Sequence, residues 1–135
     1  MNGKLARITA AGALTLAIGS GIVGASPASA SHGGRGDVTK TGMCSGSSDW
    51  KLKLSPDDGR IEVEFEVDSN KVGQTWHVRI LENGSRIFSG NRVTKAPSGS
   101  FTVRKLADNP PGTDSFTARA TNTASGETCI AHASI

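Results

Sequence analysis

The stretch RIEVEFEVD at residues 60 to 68 sets four carboxylates, Glu62, Glu64, Glu66 and Asp68, at alternate positions among Ile61, Val63, Phe65 and Val67. A row of acids raises two possible chemistries, a divalent-cation site or a pair of carboxylates that divide acid and base roles. Alternation with period two is strand patterning, however, and on a strand every second side chain stands about 7 Å from the next along one face. Carboxylates so spaced cannot converge on one ion, and a flat outer face offers no dry cleft to push one pKa above the other. The row is therefore expected to be the wet side of a strand. It would lie between Lys51 and Lys53 on one neighbour and Arg104 on the other, at roughly 0.2–1 kcal/mol per opposite-charge pair.

A second constellation is basic. In QTWHVRIL the residues His77, Arg79 and Leu81 alternate with Trp76, Val78 and Ile80. Glu82-Asn83-Gly84-Ser85 then reads as a two-residue hairpin turn that sets Arg79 opposite Phe88. The outer face of that hairpin and of the late strand DSFTARATN would carry His77, Arg79, Phe88 and Arg119, joined by Leu81, Arg86, Thr117 and Thr121. Ile130 and His132 are of undecided side, because Cys129 could twist the last strand. A basic face with an aromatic centre, where Arg79 could lie over Phe88, has the composition of a binding patch. The competing reading is that the loop from Gly90 to Ser98 covers Phe88, or that arginine stems cover the apolar atoms.

The remaining reactive residues form no recognisable catalytic set. The three histidines are far apart in sequence and, with two cysteines, show no metal-ligand spacing, so no metal and no cofactor are expected. No G-x-S-x-G, H-E-x-x-H or phosphate-cradling glycine motif occurs. Arg35-Gly36-Asp37 spells an adhesion tripeptide of a kind that arises readily by chance.

These residues must be positioned by short strands. WKLKL, RIEVEFEVD, QTWHVRIL, SRIFS, SFTVRKL, DSFTARATN and ETCIAHA are separated by SPDDG, KAPSGS and ADNPPGT and by other turn-rich segments. Seven strands at roughly ten-residue spacing, with no sustained helical period, predict an all-β, antiparallel sandwich. The segment SHGGRGDVTKTG, with nothing to bury, reads as a flexible leader over residues 31–43 that precedes a domain over residues 44–135.

The order of features resembles an immunoglobulin-like, fibronectin type III-like domain. Trp76 falls in the third strand, SGSFTVRKL precedes the late strand, and Asp114, Phe116, Ala118, Ala120 and Asn122 follow a D-x-aromatic-x-small-x-A-x-N pattern. The resemblance implies that the first, second and fifth of the seven strands share a sheet with RIEVEFEVD in the middle, and that SRIFS joins the sheet of the third. Two departures stand out: Phe116 lacks the hydroxyl of a tyrosine corner, and Ala118 stands where the second cysteine of an antibody-type bridge would be. The chain also resembles small exported proteins of actinobacteria, a resemblance that specifies no activity.

Residues 1–30 carry Lys4 and Arg7, an apolar run to about Val23, and Ala28-Ser29-Ala30, the layout of a secretory signal peptide. Its removal leaves 13 basic against 12 acidic residues, a net charge of +1, so the basic excess of the whole chain does not point to nucleic acid. In an oxidising space Cys44 and Cys129 have one intramolecular pairing available, with an intermolecular bridge or free thiols as alternatives. The expectation is a secreted, monomeric, non-enzymatic binding module for an extracellular macromolecule or cell-envelope component, without a membrane segment after cleavage. The alternative is a protease inhibitor or small-molecule carrier that uses KAPSGSF or ADNPPGT as its presented loop.

Overall fold

The alternating segments do become strands. The computed structural model describes residues 36–135; the signal sequence expected over residues 1–30, and Arg35, lie outside them. Eight antiparallel strands follow one another: β1 (Val38–Met43), β2 (Asp49–Asp57), β3 (Arg60–Asp68), β4 (Thr75–Glu82), β5 (Ser85–Val93), β6 (Ser100–Ala107), β7 (Ser115–Asn122) and β8 (Thr128–Ser134). One sheet has the order β1-β2-β3-β6 and the other β5-β4-β7-β8, giving an immunoglobulin-like sandwich.

Two tight turns set the register. Asp58 and Gly59 have φ of 52° and 80°, and Asn83 and Gly84 have 47° and 84°, the positive values of type I′ hairpins. They pair Asp57 with Arg60 and Glu82 with Ser85. Pro56 falls beyond the last β1 pairing, Val38 with Leu54, so its missing N–H costs no ladder bond there.

The expected leader over 31–43 is corrected at its end, because Val38–Met43 is a strand paired along the whole of its length with β2. Its sequence hides this: only Val38 and Gly42 are half-buried, and Met43 is 68% exposed. What holds β1 is the backbone ladder along an edge of β2 that would otherwise be open. The Trp50 indole lies across Gly42, where any β-carbon would run into the ring.

Between the sheets the apolar sets interleave. Leu52 and Leu54 of β2, Ile61, Val63, Phe65 and Val67 of β3, and Phe101 and Val103 of β6 face Trp76, Val78 and Ile80 of β4 and Phe116 of β7. Trp76 is 0% exposed and meets Phe101 with ring centroids 6.3 Å apart, in a tilted pair. The small side chains Ala118, Ala120, Ala131 and Ala133 let β7 and β8 approach the larger residues opposite, so both layers fill one thin core.

One lateral side of the sandwich is closed. Cys44, just past β1, is bonded to Cys129 on β8. Beside that bond Ser45 N donates to Thr128 O at 2.8 Å, and Thr128 N donates to Ser45 Oγ at 2.9 Å. The Glu127 carboxylate accepts from Ser48 N at 2.9 Å and from Ser48 Oγ at 3.1 Å. The free edge of β8 is thereby covered by the β1–β2 connection.

Candidate functional site

Each sheet turns one face to solvent, and the two faces are built differently. On the β1-β2-β3-β6 sheet the acidic row stands opposite cations, since Glu66 pairs with Lys51 and Glu64 with both Lys53 and Arg104 in register. Lys51 lies 3.9 Å from Glu66 and Arg104 lies 3.3 Å from Glu64, while Lys53 reaches Asp37 at 3.5 Å. Glu64 and Glu66 thus each have a cation that answers them, whereas Glu62 stands between Ser55 and Leu106, and Asp68, opposite Asp49, accepts from Asn70 N at 2.9 Å; the row is the wet face of a strand. Asp37, the acid of the Arg35-Gly36-Asp37 tripeptide, has a side chain only 13% exposed beneath Lys53 and is not presented to a receptor.

The outer face of the β5-β4-β7-β8 sheet carries the basic constellation. Arg79 pairs across the ladder with Arg119, and Arg119 with Ile130. One row along, Leu81 pairs with Thr117 and Thr117 with His132; one row the other way, His77 pairs with Thr121. Arg86 completes the Leu81 row from β5. Arg79, Arg119, His77 and Arg86 are all exposed, as sequence alternation implies.

Phe88 is not among them. The sequence sets it opposite Arg79, but the register shifts between Ile80 and Leu81, so that Ile80 pairs with Phe88 and Leu81 with Arg86. Ile87 is the extra residue of a β-bulge, and a shift of one residue moves a side chain to the other face of a strand. Phe88 therefore packs against the core, and the cation over its ring is Arg92, at 4.9 Å from the centroid, not Arg79. The structure brings together His77, Arg79 and Arg119 of the expected set and removes Phe88 from it.

Two residues left undecided by the sequence join the face. Cys129, Ala131 and Ala133 are buried, so Ile130, 46% exposed, and His132 point outward. The signal was available in the small-residue alternation of C-I-A-H-A, which carries the inward face even beside a disulfide. Arg79, Leu81, Thr117, Arg119, Ile130 and His132 line a shallow depression of about 380 Å3. His132 Nδ1 lies 3.1 Å from Thr117 Oγ1, and His77 Nδ1 lies 3.0 Å from Asn91 Oδ1, so each ring is oriented by a neighbour and keeps its Nε2 side outward.

The electrostatic contrast is sharp. None of the four ion pairs among the described residues involves Arg79, Arg86 or Arg119. No carboxylate occurs among the outward residues of these rows. Like charges directly opposite in a ladder are destabilising, so the juxtaposed guanidiniums of Arg79 and Arg119 work against the fold instead of supporting it. Their adjacency in the ladder leaves two arginines side by side that no carboxylate of these rows answers.

The alternative presenting loops have contrasting settings. KAPSGS is pinned, with Lys95 bridged to Ser100 and Gly99 N donating to Lys95 O at 2.8 Å. Gly99, at φ 78°, sits against the backbone of Asn70 and Lys71, where only a glycine fits. In ADNPPGT residues Asp108 to Thr113 are exposed, with Asp108 3.4 Å from Arg60.

Beside that loop lies an acidic end of the sandwich. Asp114 is buried and accepts from Asn83 Nδ2 at 2.8 Å through Oδ1, while its Oδ2 and the Oε1 of Glu82 are buried without a donor among the described residues. Burial, reinforced by the Asp114 and Asp108 carboxylates, pushes Glu82 above the usual carboxylate range. A carboxyl raised in the folded state favours the native form while it is protonated. That advantage is complete below the unfolded pKa, near 4.5, and is lost as pH rises through the folded value. At neutral pH the ionised Glu82 is thus a cost, and Glu82→Gln is expected to stabilise by about 1 kcal/mol at pH 7 and by little at pH 4. Denaturant midpoints at the two pH values check this; an equal gain at both would show that charge is not the cause. No group of three His, Cys, Asp or Glu side chains among the described residues is placed to hold a metal ion.

Comparison with protein-family models and with curated proteins finds no match for this chain.

Proposed function

We propose that the chain is an extracellular, non-enzymatic binding module that contacts a cell-envelope component or another extracellular macromolecule through the outer face of the β5-β4-β7-β8 sheet. The observation that carries this reading is the uncompensated basic face, with Arg79 directly opposite Arg119 and no carboxylate in the surrounding rows, on a molecule whose other sheet sets Lys51 against Glu66 and Arg104 against Glu64. An unbalanced array at a fixed register is what a partner of opposite charge would balance. The extracellular setting is supported by the Cys44–Cys129 bond, which suits an oxidising compartment, and by the sequence of residues 1–30. No helix among the described residues is long and apolar enough to cross a membrane.

The test is a pull-down in which the purified protein is offered in parallel to washed cell walls and to the soluble exported proteins of the producing organism. Retention on walls, released by salt and reduced at least tenfold in R79A/R119A, is the expected result. Both side chains are exposed and repel one another, so the variant should melt no lower than the wild type. Retention that survives the double substitution would assign binding to another surface. Capture of a single protease would move the function to the exposed loop from Asp108 to Thr113.

A further inference from the structure

The depression over β4, β7 and β8 has a more specific composition than a basic patch. Its two rows lie about 7 Å apart, and its three strands span about 10 Å, the footprint of roughly one or two sugar rings. Arg79 and Arg119 stand side by side in one row, ending on Ile130; Leu81, Thr117 and His132 make the other. The site thus offers, within the span of two sugar rings, a double guanidinium for an anionic group and, at opposite corners, two aliphatic side chains for apolar ring faces. It also offers a hydroxyl and an imidazole edge for ring hydroxyls.

We infer that this depression binds an anionic glycan, a polysaccharide whose repeat carries a carboxylate or phosphate that Arg79 and Arg119 clamp while neighbouring sugar rings lie on Leu81 at one corner and Ile130 at the other. The inference rests on the reading of this face as the binding surface and names its ligand class. Charge complementarity selects an acidic polymer over a neutral one. The departure of Phe88 from the face favours a glycan over nucleic acid, because the outward rows then hold no Phe, Tyr or Trp, and the imidazoles of His77 and His132 are each already engaged by a neighbour. The oriented His132 and Thr117 pair selects a hydroxyl-rich polymer over a plain polyacid. The open sheet surface suits a polymer that passes across it and binds by repetition, with modest affinity at each repeat.

Binding of the purified protein is to be measured on immobilised polygalacturonate, on a sugar-phosphate polymer, on dextran, on polyglutamate and on oligothymidylate at matched ionic strength. Polygalacturonate or the sugar-phosphate polymer, whichever anion is preferred, is expected to bind at least tenfold more tightly than the other three. R79Q/R119Q, which keeps side-chain bulk and hydrogen bonding, should lose at least tenfold of that affinity, and K51Q/K53Q on the opposite sheet less than twofold. T117V/H132A should lower glycan affinity about threefold and leave any weak polyglutamate binding unchanged.

Equal binding of polyglutamate would overturn the glycan assignment, and preference for oligothymidylate would replace it with nucleic acid. Binding of dextran as tight as that of the acidic glycans would remove the anion from the account. Glycan affinity insensitive to R79Q/R119Q would overturn the site. If cell walls retain the protein through Arg79 and Arg119 while neither acidic glycan binds, the ligand class is wrong and the binding-module reading stands.

Discussion

Replacing Cys44 and Cys129 together by alanine is expected to lower the stability of the domain by about 4–5 kcal/mol, and its melting temperature by roughly 15–30 °C. The bond closes a loop with a sequence separation of 85, and in the chain-entropy model the cost of an unclosed unfolded chain grows with the logarithm of that length. Two further terms act in the same direction. Cys129 is fully buried, so alanine there leaves a small void. The Ser45–Thr128 hydrogen bonds that cover the edge of β8 are local to the bridge and should fray with it. Thermal melts of the wild type with and without reductant, set beside the double variant, check the magnitude. Alkylation of the untreated protein should label neither cysteine. A fall of less than about 1 kcal/mol would mean that the unfolded chain is already compact or that strain offsets the closure.

Trp76→Ala is expected to cost about 3–5 kcal/mol, enough with the first change to unfold a domain of ordinary stability. Trp76 is the largest fully buried side chain, is the first inward residue of β4, and packs on Phe101 of the opposite sheet. Its removal opens a cavity between two layers that the backbone ladders hold apart, so little collapse can refill it. The indole Nε1 is buried without a partner among the described residues. Trp76→Phe should therefore cost much less, about 1–2 kcal/mol, because lost volume is partly offset by removal of an unanswered N–H. Chemical denaturation of the two variants separates the terms. Equal losses in Trp76→Phe and Trp76→Ala would show that the N–H is answered or that ring volume is not what the site requires.

Sequence reading succeeded where one residue decides between two faces of a strand and failed where pairing is set from afar. The alternation in RIEVEFEVD and QTWHVRIL is strong because an error of one residue would bury glutamates or histidine, and both strands lie as that pattern requires. The hairpin at Asn83-Gly84 was legible for the same local reason, positive φ at two successive positions. The bulge that follows it was not, since Ile87 and Phe88 are both apolar and either could face inward. That ambiguity placed Phe88 with Arg79 and, for the candidate face, misassigned its only aromatic member. β1 was illegible because VTKTGM buries almost nothing and depends on β2 for its backbone partners. His77, Arg79 and Arg119 were found because charge on an amphipathic strand has only one side to occupy. The inward spacing of Cys129, Ala131 and Ala133 would have added Ile130 and His132 if small residues had been given the same weight as large ones.

The bridge between Cys44 and Cys129 also governs how the domain would answer a pull. Tension applied between Val38 and Ile135 enters through β1 and leaves through β8, and all of β1 and the part of β8 beyond Cys129 are short runs outside the covalent loop. Only twelve residues, 38–43 and 130–135, can unravel before the load reaches the sulfur–sulfur bond, an end-to-end length of roughly 40 Å at full stretch. The intervening sheets are bypassed. A chain dragged by its ends would lengthen a little and then stop, with β4 and β7, and the arginines they align, still in register under the load.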